Sequence, residues 1–336
     1  MRRKASLILL AFAVFFAALS PLIRFYAFPR LAKVPANQYQ KMVLEAKDAT
    51  IFDMGEGVKK TDLSIVQTLR GNVEESEKIE ESAGRDVVVW DGLSYAQDAE
   101  GKMVTQIPER YIFDAHSGEP IHATGEMADK HAVKREGLEF KWPFLTEKRD
   151  YQYFDARSRT SNPIHYKGEQ NFRGLDVYYF EQTIPWRKVD WPSTMPGGLA
   201  ITPEQLKGTG TEMWYTTVRK FWVDPTTGAP VYGEEIHKEE MRGGTLVATM
   251  GDGKDRITVF DGHVKMREDF IKSTVDLVKS QRQLILAMTV YIPWGSAFLA
   301  LVLLSLALWL EARSRRPGDD PEPTDDRAPE PEPAGV

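Results

Sequence analysis

Six histidines, His116, His122, His131, His165, His237 and His263, are the first place to look for acid–base or metal chemistry in this 336-residue chain. None sits at the spacing of a helix-borne or hairpin-borne metal pair. His116 and His122 come nearest, and beside a turn they read as exposed polar side chains rather than ligands. There is no cysteine, which removes disulfides, thiol nucleophiles and zinc–thiolate sites. The glycine-rich stretches 208–210 and 251–255 lack the frame of a phosphate loop or nucleophile elbow. Asp252 and Asp255 are too few carboxylates for an EF-type calcium loop, so that stretch reads as a turn. No cofactor, metal or catalytic residue is assigned, and the chain is expected not to be an enzyme.

One pair of carboxylates recurs in equivalent surroundings. Residues 111–122, YIFDAHSGEPIH, are echoed by residues 221–232, FWVDPTTGAPVY. Asp114 and Asp224 could be paired for acid–base work, but turn chemistry already accounts for both. The Asp side chain caps a turn, and Gly118 or Gly228 takes the positive φ that reverses the chain. Each copy therefore predicts strand, tight turn, strand.

The elements around these turns read as β. Residues 62–69 alternate apolar and polar, residues 86–90 (DVVVW) are β-branched, and residues 151–155, 174–180, 214–223 and 246–260 continue the pattern. Lys141-Trp142-Pro143-Phe144 marks an aromatic corner. Residues 42–52 fit a strand or a short helix, and residues 70–84, charged and without periodicity, read as a solvent loop. The fold class expected is mainly β: a large antiparallel β-barrel or sandwich ectodomain between amino- and carboxy-terminal transmembrane helices. Residues 184–210 break the rhythm with four prolines and gather Trp186, Arg187, Lys188 and Trp191. A loop of that kind either plugs the end of the core with its tryptophans or sets tryptophan in the bilayer interface with Arg187 and Lys188 on lipid phosphates.

Both ends supply the membrane segments. Residues 284–310 carry no charged side chain and exceed the about 20 apolar residues that a bilayer core requires. Pro293 places the membrane entry, with Tyr291 and Trp294 at headgroup depth and Trp309 at the far interface. Residues 5–23, behind Arg2, Arg3 and Lys4, read as an uncleaved signal anchor, with cleavage near Ala18-Leu19-Ser20 as the alternative. The division expected is 1–4 cytoplasmic, 5–23 transmembrane, 24–264 extracytoplasmic and β-rich, 265–283 a membrane-proximal helix, 284–310 transmembrane, and 311–336 a disordered acidic, proline-rich cytoplasmic tail. Roughly 260 residues between the ends suffice for a sizeable core. The formal charge is −6, much of it in the tail. The near-neutral remainder argues against nucleic acid as a partner.

The amino-terminal anchor, KWPF at 141–144, YQYFD ending at Asp155, GLDVYYF at 174–180, FWVDPTTG at 221–228 and the second anchor together resemble an actinobacterial family of envelope proteins described as porin-A-like. The resemblance spans roughly residues 5–310, and its motifs are structural. It implies a β-rich exterior domain similar to the double-anchored scavenger-receptor superfamily, with a lipid-accepting tunnel, and relatives implicated in lipomannan and lipoarabinomannan assembly. It implies no catalytic residues. Because the strands alternate too weakly for a lipid-facing barrel, the porin label is set aside at this point. The function expected is lipid binding or handling in cell-envelope biogenesis, with membrane lipid (phospholipid or a lipoglycan precursor) and envelope-assembly proteins as partners. The alternatives are a scaffold recruiting such enzymes, or a porin-like or enzymatic envelope protein.

Overall fold

The computed structural model describes residues 2–53, 55–193 and 202–314. The acidic tail lies outside them from residue 315, as do residues 194–201 of the proline-rich segment. The chain forms two compact units, one made of the residues up to Ala27 together with those from Met288, the other running from Phe28 to Ala287.

In the first unit, α1 (Arg2–Pro21) packs against the carboxy-terminal helix, Ile292–Ser314. Ser6 Oγ donates to the Ala307 carbonyl at 3.1 Å and Ser20 Oγ to that of Pro293 at 2.8 Å, so the two helices run antiparallel. Both are long and apolar enough to cross a membrane by length and composition. Prolines leave a mark: a π-helical segment, Leu22–Ala27, precedes Pro29, and another, Ala287–Tyr291, precedes Pro293. A proline that cannot donate and crowds the preceding turn widens it locally.

The second unit begins with α2 (Phe28–Leu31) and is dominated by one antiparallel meander. Its first half is β1 (Tyr39–Asp53), β2 (Gly57–Gly71), β3 (Val87–Gln97), β4 (Met103–Asp114), β5 (Met127–Ala128) and β6 (His131–Ala132). The second is β7 (Tyr151–Asp155), β8 (Thr160–Phe172), β9 (Leu175–Val189), β10 (Glu212–Val223), β11 (Pro230–Arg242) and β12 (Arg256–Met266). The order β6-β5-β4-β3-β2-β1-β12-β11-β10-β9-β8-β7 makes a 12-stranded sheet. Mainly β holds, but the sheet is not closed into a barrel: β6 and β7 do not pair. Leu138 spans the gap instead, donating to the Gln152 carbonyl at 2.8 Å and accepting from the Phe154 N–H at 2.7 Å.

Several local expectations are corrected. Residues 70–84 are not a loop but carry α3 (Val73–Ala83), which starts where Asn72 accepts from the Glu75 N–H at 3.2 Å and stops at Gly84 with φ 64°. An Asx cap and a left-handed glycine are sufficient helix punctuation. The inward face escaped the periodicity because it includes a serine, Ser76, whose Oγ accepts from the Val89 N–H at 2.9 Å. Residues 42–52 resolve as strand. Residues 184–189 belong to β9, with Pro185 tolerated because the β9–β10 register shifts between Tyr215 and Thr217 and a bulge needs no donor there. The short helices α4 (Pro203–Gly208) and α5 (Gly244–Met250) follow, the latter taking the start of the strand expected over 246–260. The helix after residue 261 is α6 (Glu268–Leu286), which buries Ile271, Val275 and Val278 against Leu175, Val177, Val231 and Met266. The carboxy-terminal helix of the first unit is α7 (Ile292–Ser314).

Candidate functional site

The echoed turns share one hydrogen-bond scheme. Gly118 N–H donates to the Asp114 carbonyl and Gly228 N–H to that of Asp224, both at 2.9 Å, while the Asp N–H groups donate to Glu119 and Ala229 at 2.9 and 3.0 Å. Gly118 and Gly228 have φ of 75° and 71°. Asp114 Oδ1 accepts from the N–H groups of His116 and Ser117, and Asp224 Oδ2 from the N–H and hydroxyl of Thr227. The second copy opens into a full hairpin, β10–β11, whereas the first pairs onward only as the single bridge Phe113–Pro120. The two aspartates sit in separate turns, each with one carboxylate oxygen occupied by its own turn.

The proline-rich quartet is divided by the period of a strand. Arg187 Nη1 donates to Thr160 Oγ1 at 2.7 Å, Lys188 pairs with Glu212 at 2.7 Å, and Trp186 lies under the Arg242 guanidinium, 4.5 Å from the ring centroid. Trp191 is in the core with Phe52, Leu206, Met213, Met241 and Ile257.

The feature that residue spacing did not disclose is a buried ladder of charge. In the β10–β11 register Tyr215 faces Glu239, Thr217 faces His237 and Arg219 faces Glu235. Residues two apart share a face, so all six lie on one face of the sheet. Asp155, with 0% exposure, accepts from Tyr215 Oη at 2.8 Å and Arg219 Nη2 at 3.0 Å. Arg219 Nε continues to Glu235 Oε2 at 3.1 Å. His237 then bridges, with Nδ1 3.0 Å from Glu235 and Nε2 2.9 Å from Glu239. Arg157, from the turn between β7 and β8, closes the ladder on both Glu239 oxygens at 2.8 Å.

These contacts determine protonation. Burial alone pushes the Glu235 and Glu239 carboxyls up, but Arg219 beside the first, Arg157 beside the second and the shared imidazole hold both well below the usual range. Burial opposes charge on His237 too, yet its hydrogen bonds to Glu235 and then Glu239 raise it to about 9. Both ring nitrogens therefore donate, as only an imidazolium can. The ladder joins three basic side chains, Arg157, Arg219 and His237, to three acidic ones, Asp155, Glu235 and Glu239.

A second cluster adjoins it. Arg135 Nε donates to Glu139 at 2.6 Å, and its other nitrogens approach Glu109 at 3.3 Å and Glu126 at 3.6 Å. Burial, against the pull of Tyr111 and Arg135, raises Glu109, and burial raises Glu139 well above the usual carboxylate range.

The ladder forms one wall of a cavity of about 330 Å³, with Phe52, Ile65, Ala96 and Val104 on the apolar side. Its charges are all engaged, so it offers a solute fixed dipoles rather than a free acid, base or nucleophile. Among the described residues no group of three or more His, Asp or Glu is placed to hold a metal ion.

Comparison with known proteins bears on the cavity. A family model described as Porin PorA matches residues 5–309. A Porin PorA of Corynebacterium resistens is 42% identical over 15% of this chain and 12% of its own length. One of Corynebacterium amycolatum is 28% identical over 30% of this chain and 32% of its own. The chain thus matches less than a third of the length of either relative. These descriptions overturn lipid handling in envelope biogenesis as the leading reading and favour its porin-like alternative, including the label that weak strand alternation had set aside. They lend nothing to a link with lipomannan assembly. Matched over nearly its whole described length, the chain belongs to the Porin PorA family.

Proposed function

We propose that this chain is a porin-type envelope protein that passes small polar solutes across a membrane, with the charge-lined cavity as the element that selects them. The observation that carries the reading is the ladder Arg157–Glu239–His237–Glu235–Arg219 along one wall of that cavity. Burying these five charged groups is costly, and the cost is offset only where they pair closely. A core needed only for stability is made more simply from apolar side chains. Rings of charged side chains in a water-accessible passage are a recurrent selectivity device, and the relatives are named porins.

The opposite face of the same strands carries Lys238, Glu240 and Arg242, which a hydrocarbon environment would not accept. The strands therefore stay outside lipid. Crossing falls to α1 and α7, both termini being cytoplasmic and the bulk of the chain extracytoplasmic. Two helices packed directly on each other enclose no conduit, so conduction requires several copies.

The test is planar-bilayer recording with the full chain. Stepwise conductance is expected, with a cation-to-anion permeability ratio that shifts when Arg219→Gln or Glu235→Gln unbalances the ladder. Protein demonstrably inserted yet giving no current above protein-free bilayers would overturn the reading.

A further inference from the structure

A second groove, of about 370 Å³, lies along β9–β12; it also touches Thr217 and Glu239 of the ladder strands, but most of its lining comes from the residues that alternate with the ladder. Trp186 forms one end and is 38% exposed. Its ring is held in place from the protein side: the Arg242 guanidinium lies between the Trp186 and Trp214 rings, 4.5 and 4.6 Å from their centroids, and is itself fixed by Glu240 at 2.7 Å. Val218, Ile236, Thr216 and Thr258 line the floor, and Lys238 and Asp261, paired at 3.0 Å, form the far side.

We propose that this groove binds a neutral saccharide chain. Three observations select that class. First, every charged side chain lining the groove is already paired, Lys238 with Asp261, Glu240 with Arg242 and Arg256, and Glu239 with Arg157 and His237, so the groove presents donors and acceptors side by side with no unpaired charge to attract an ion. A ligand whose hydroxyls both donate and accept fits such pairs. Second, the exposed indole is immobilised on its Arg–Trp stack. A rigid aromatic face with a negative quadrupole suits the polarised C–H face of a sugar ring, and costs little entropy on binding. The Trp186 Nε1–H and the Thr258 hydroxyl make no hydrogen bond to the protein among the described residues, and so remain for the ligand. Third, β10, β11 and β12 are ladder-paired on both sides and β9 lies between β8 and β10. A peptide cannot add here as a further strand, which is how extended peptides usually bind sheets. The volume lies at the small end of the range for ligand sites, about 300–1,000 Å³.

The experiment uses the full chain in detergent, titrated with dextran, mannan and laminarin as neutral probes and alginate as an anionic one, following tryptophan emission and isothermal heat. Binding of at least one neutral polysaccharide is expected, weakened about tenfold by Trp186→Ala, the equivalent of 1.4 kcal/mol, and only partly by Trp186→Phe. Thr258→Val is expected to weaken it a few-fold. Trp186 is exposed, so the alanine variant keeps its fold, which near-ultraviolet dichroism checks. The proposal is overturned if no neutral polysaccharide binds, if Trp186→Ala binds as well as the parent, or if alginate binds more tightly in the groove. Trp186-dependent binding to phosphatidylglycerol vesicles without saccharide binding would also overturn it, and would make the groove a headgroup site. None of these outcomes depends on whether the chain conducts.

Discussion

Arg282 Nη1 lies 3.3 Å from Asp224 Oδ1, tying helix α6 to the carboxylate that shapes the β10–β11 turn. The other Asp224 oxygen is occupied by Thr227, and Asp224 has 0% exposure. One side chain thus serves both the hairpin and the helix leading to the second apolar stretch. Asp224→Ala is expected to cost about 3–5 kcal/mol, because a buried partner is removed and its donors are orphaned. Arg282→Met, which leaves the turn intact, should cost about 1.5–3 kcal/mol. Urea unfolding followed by tryptophan fluorescence measures both. Equal losses would show that the helix tie, not the turn, carries the Asp224 contribution.

The echoed glycines are not equivalent in space. A Cβ at Gly228 would stand 2.1 Å from the Trp142 carbonyl oxygen, whereas one at Gly118 would meet only the Lys141 carbonyl, at 3.6 Å. Gly118→Ala should therefore cost only its left-handed backbone, about 1–2 kcal/mol. Gly228→Ala should also dislodge the segment whose Trp142 N–H donates to Gly228 at 2.8 Å. Expression and melting temperature of the two variants, side by side, decide the matter: the second should be the far less stable.

Trp186 and Trp191 should part company on mutation. Trp191→Ala opens the core beside Phe52 and Met213 and is expected to cost about 3–5 kcal/mol. Trp186→Ala, on the surface, should stay within about 0.5 kcal/mol. Thermal melts measure the difference. In liposome co-sedimentation Trp191→Ala should associate as the parent does, so lost association with unchanged stability would return Trp191 to the membrane interface.

Stability should vary with pH through two opposed groups. His237, raised from 6.5 to about 9 in the folded chain, binds its proton more tightly there than when unfolded. Its contribution is complete below 6.5 and is lost as pH rises through 9. Lys141 acts in the opposite sense. Although the residue keeps some exposure, its amine packs over the Phe144 ring at 3.6 Å, and burial lowers it from 10.5 to about 7. Between those values the unfolded chain binds more protons, so this term favours folding as pH rises. Glu235 and Glu239, both lowered, add stability above 4.5 that is lost in acid. His237→Gln should accordingly flatten the decline between pH 6.5 and 9, and Lys141→Met should steepen the alkaline decline. Melting temperatures from pH 4 to 10 read both slopes, and an unchanged slope in either variant would remove that group from the account.

What the amino-acid sequence determined by itself is what depends on neighbours along the chain. Uncharged runs near both ends make helices long and apolar enough to cross a membrane, because a helix satisfies its backbone hydrogen bonds within the segment itself. The repeated Asp and Gly spacing makes the same turn twice because an Asx cap and a positive φ are local needs. Tertiary structure alone decided where the charges went. Around His237 the strand reads EEIHKEE, polar in both alternations, so a period of two cannot say which set points inward. Only the pairing of β11 with β10, and the return of Arg157 from a turn some eighty residues earlier, sends Glu235, His237 and Glu239 inside and leaves Lys238 and Glu240 out. The open seam between β6 and β7, and the placing of Trp186 outside and Trp191 inside, are likewise consequences of contacts that no local stretch contains.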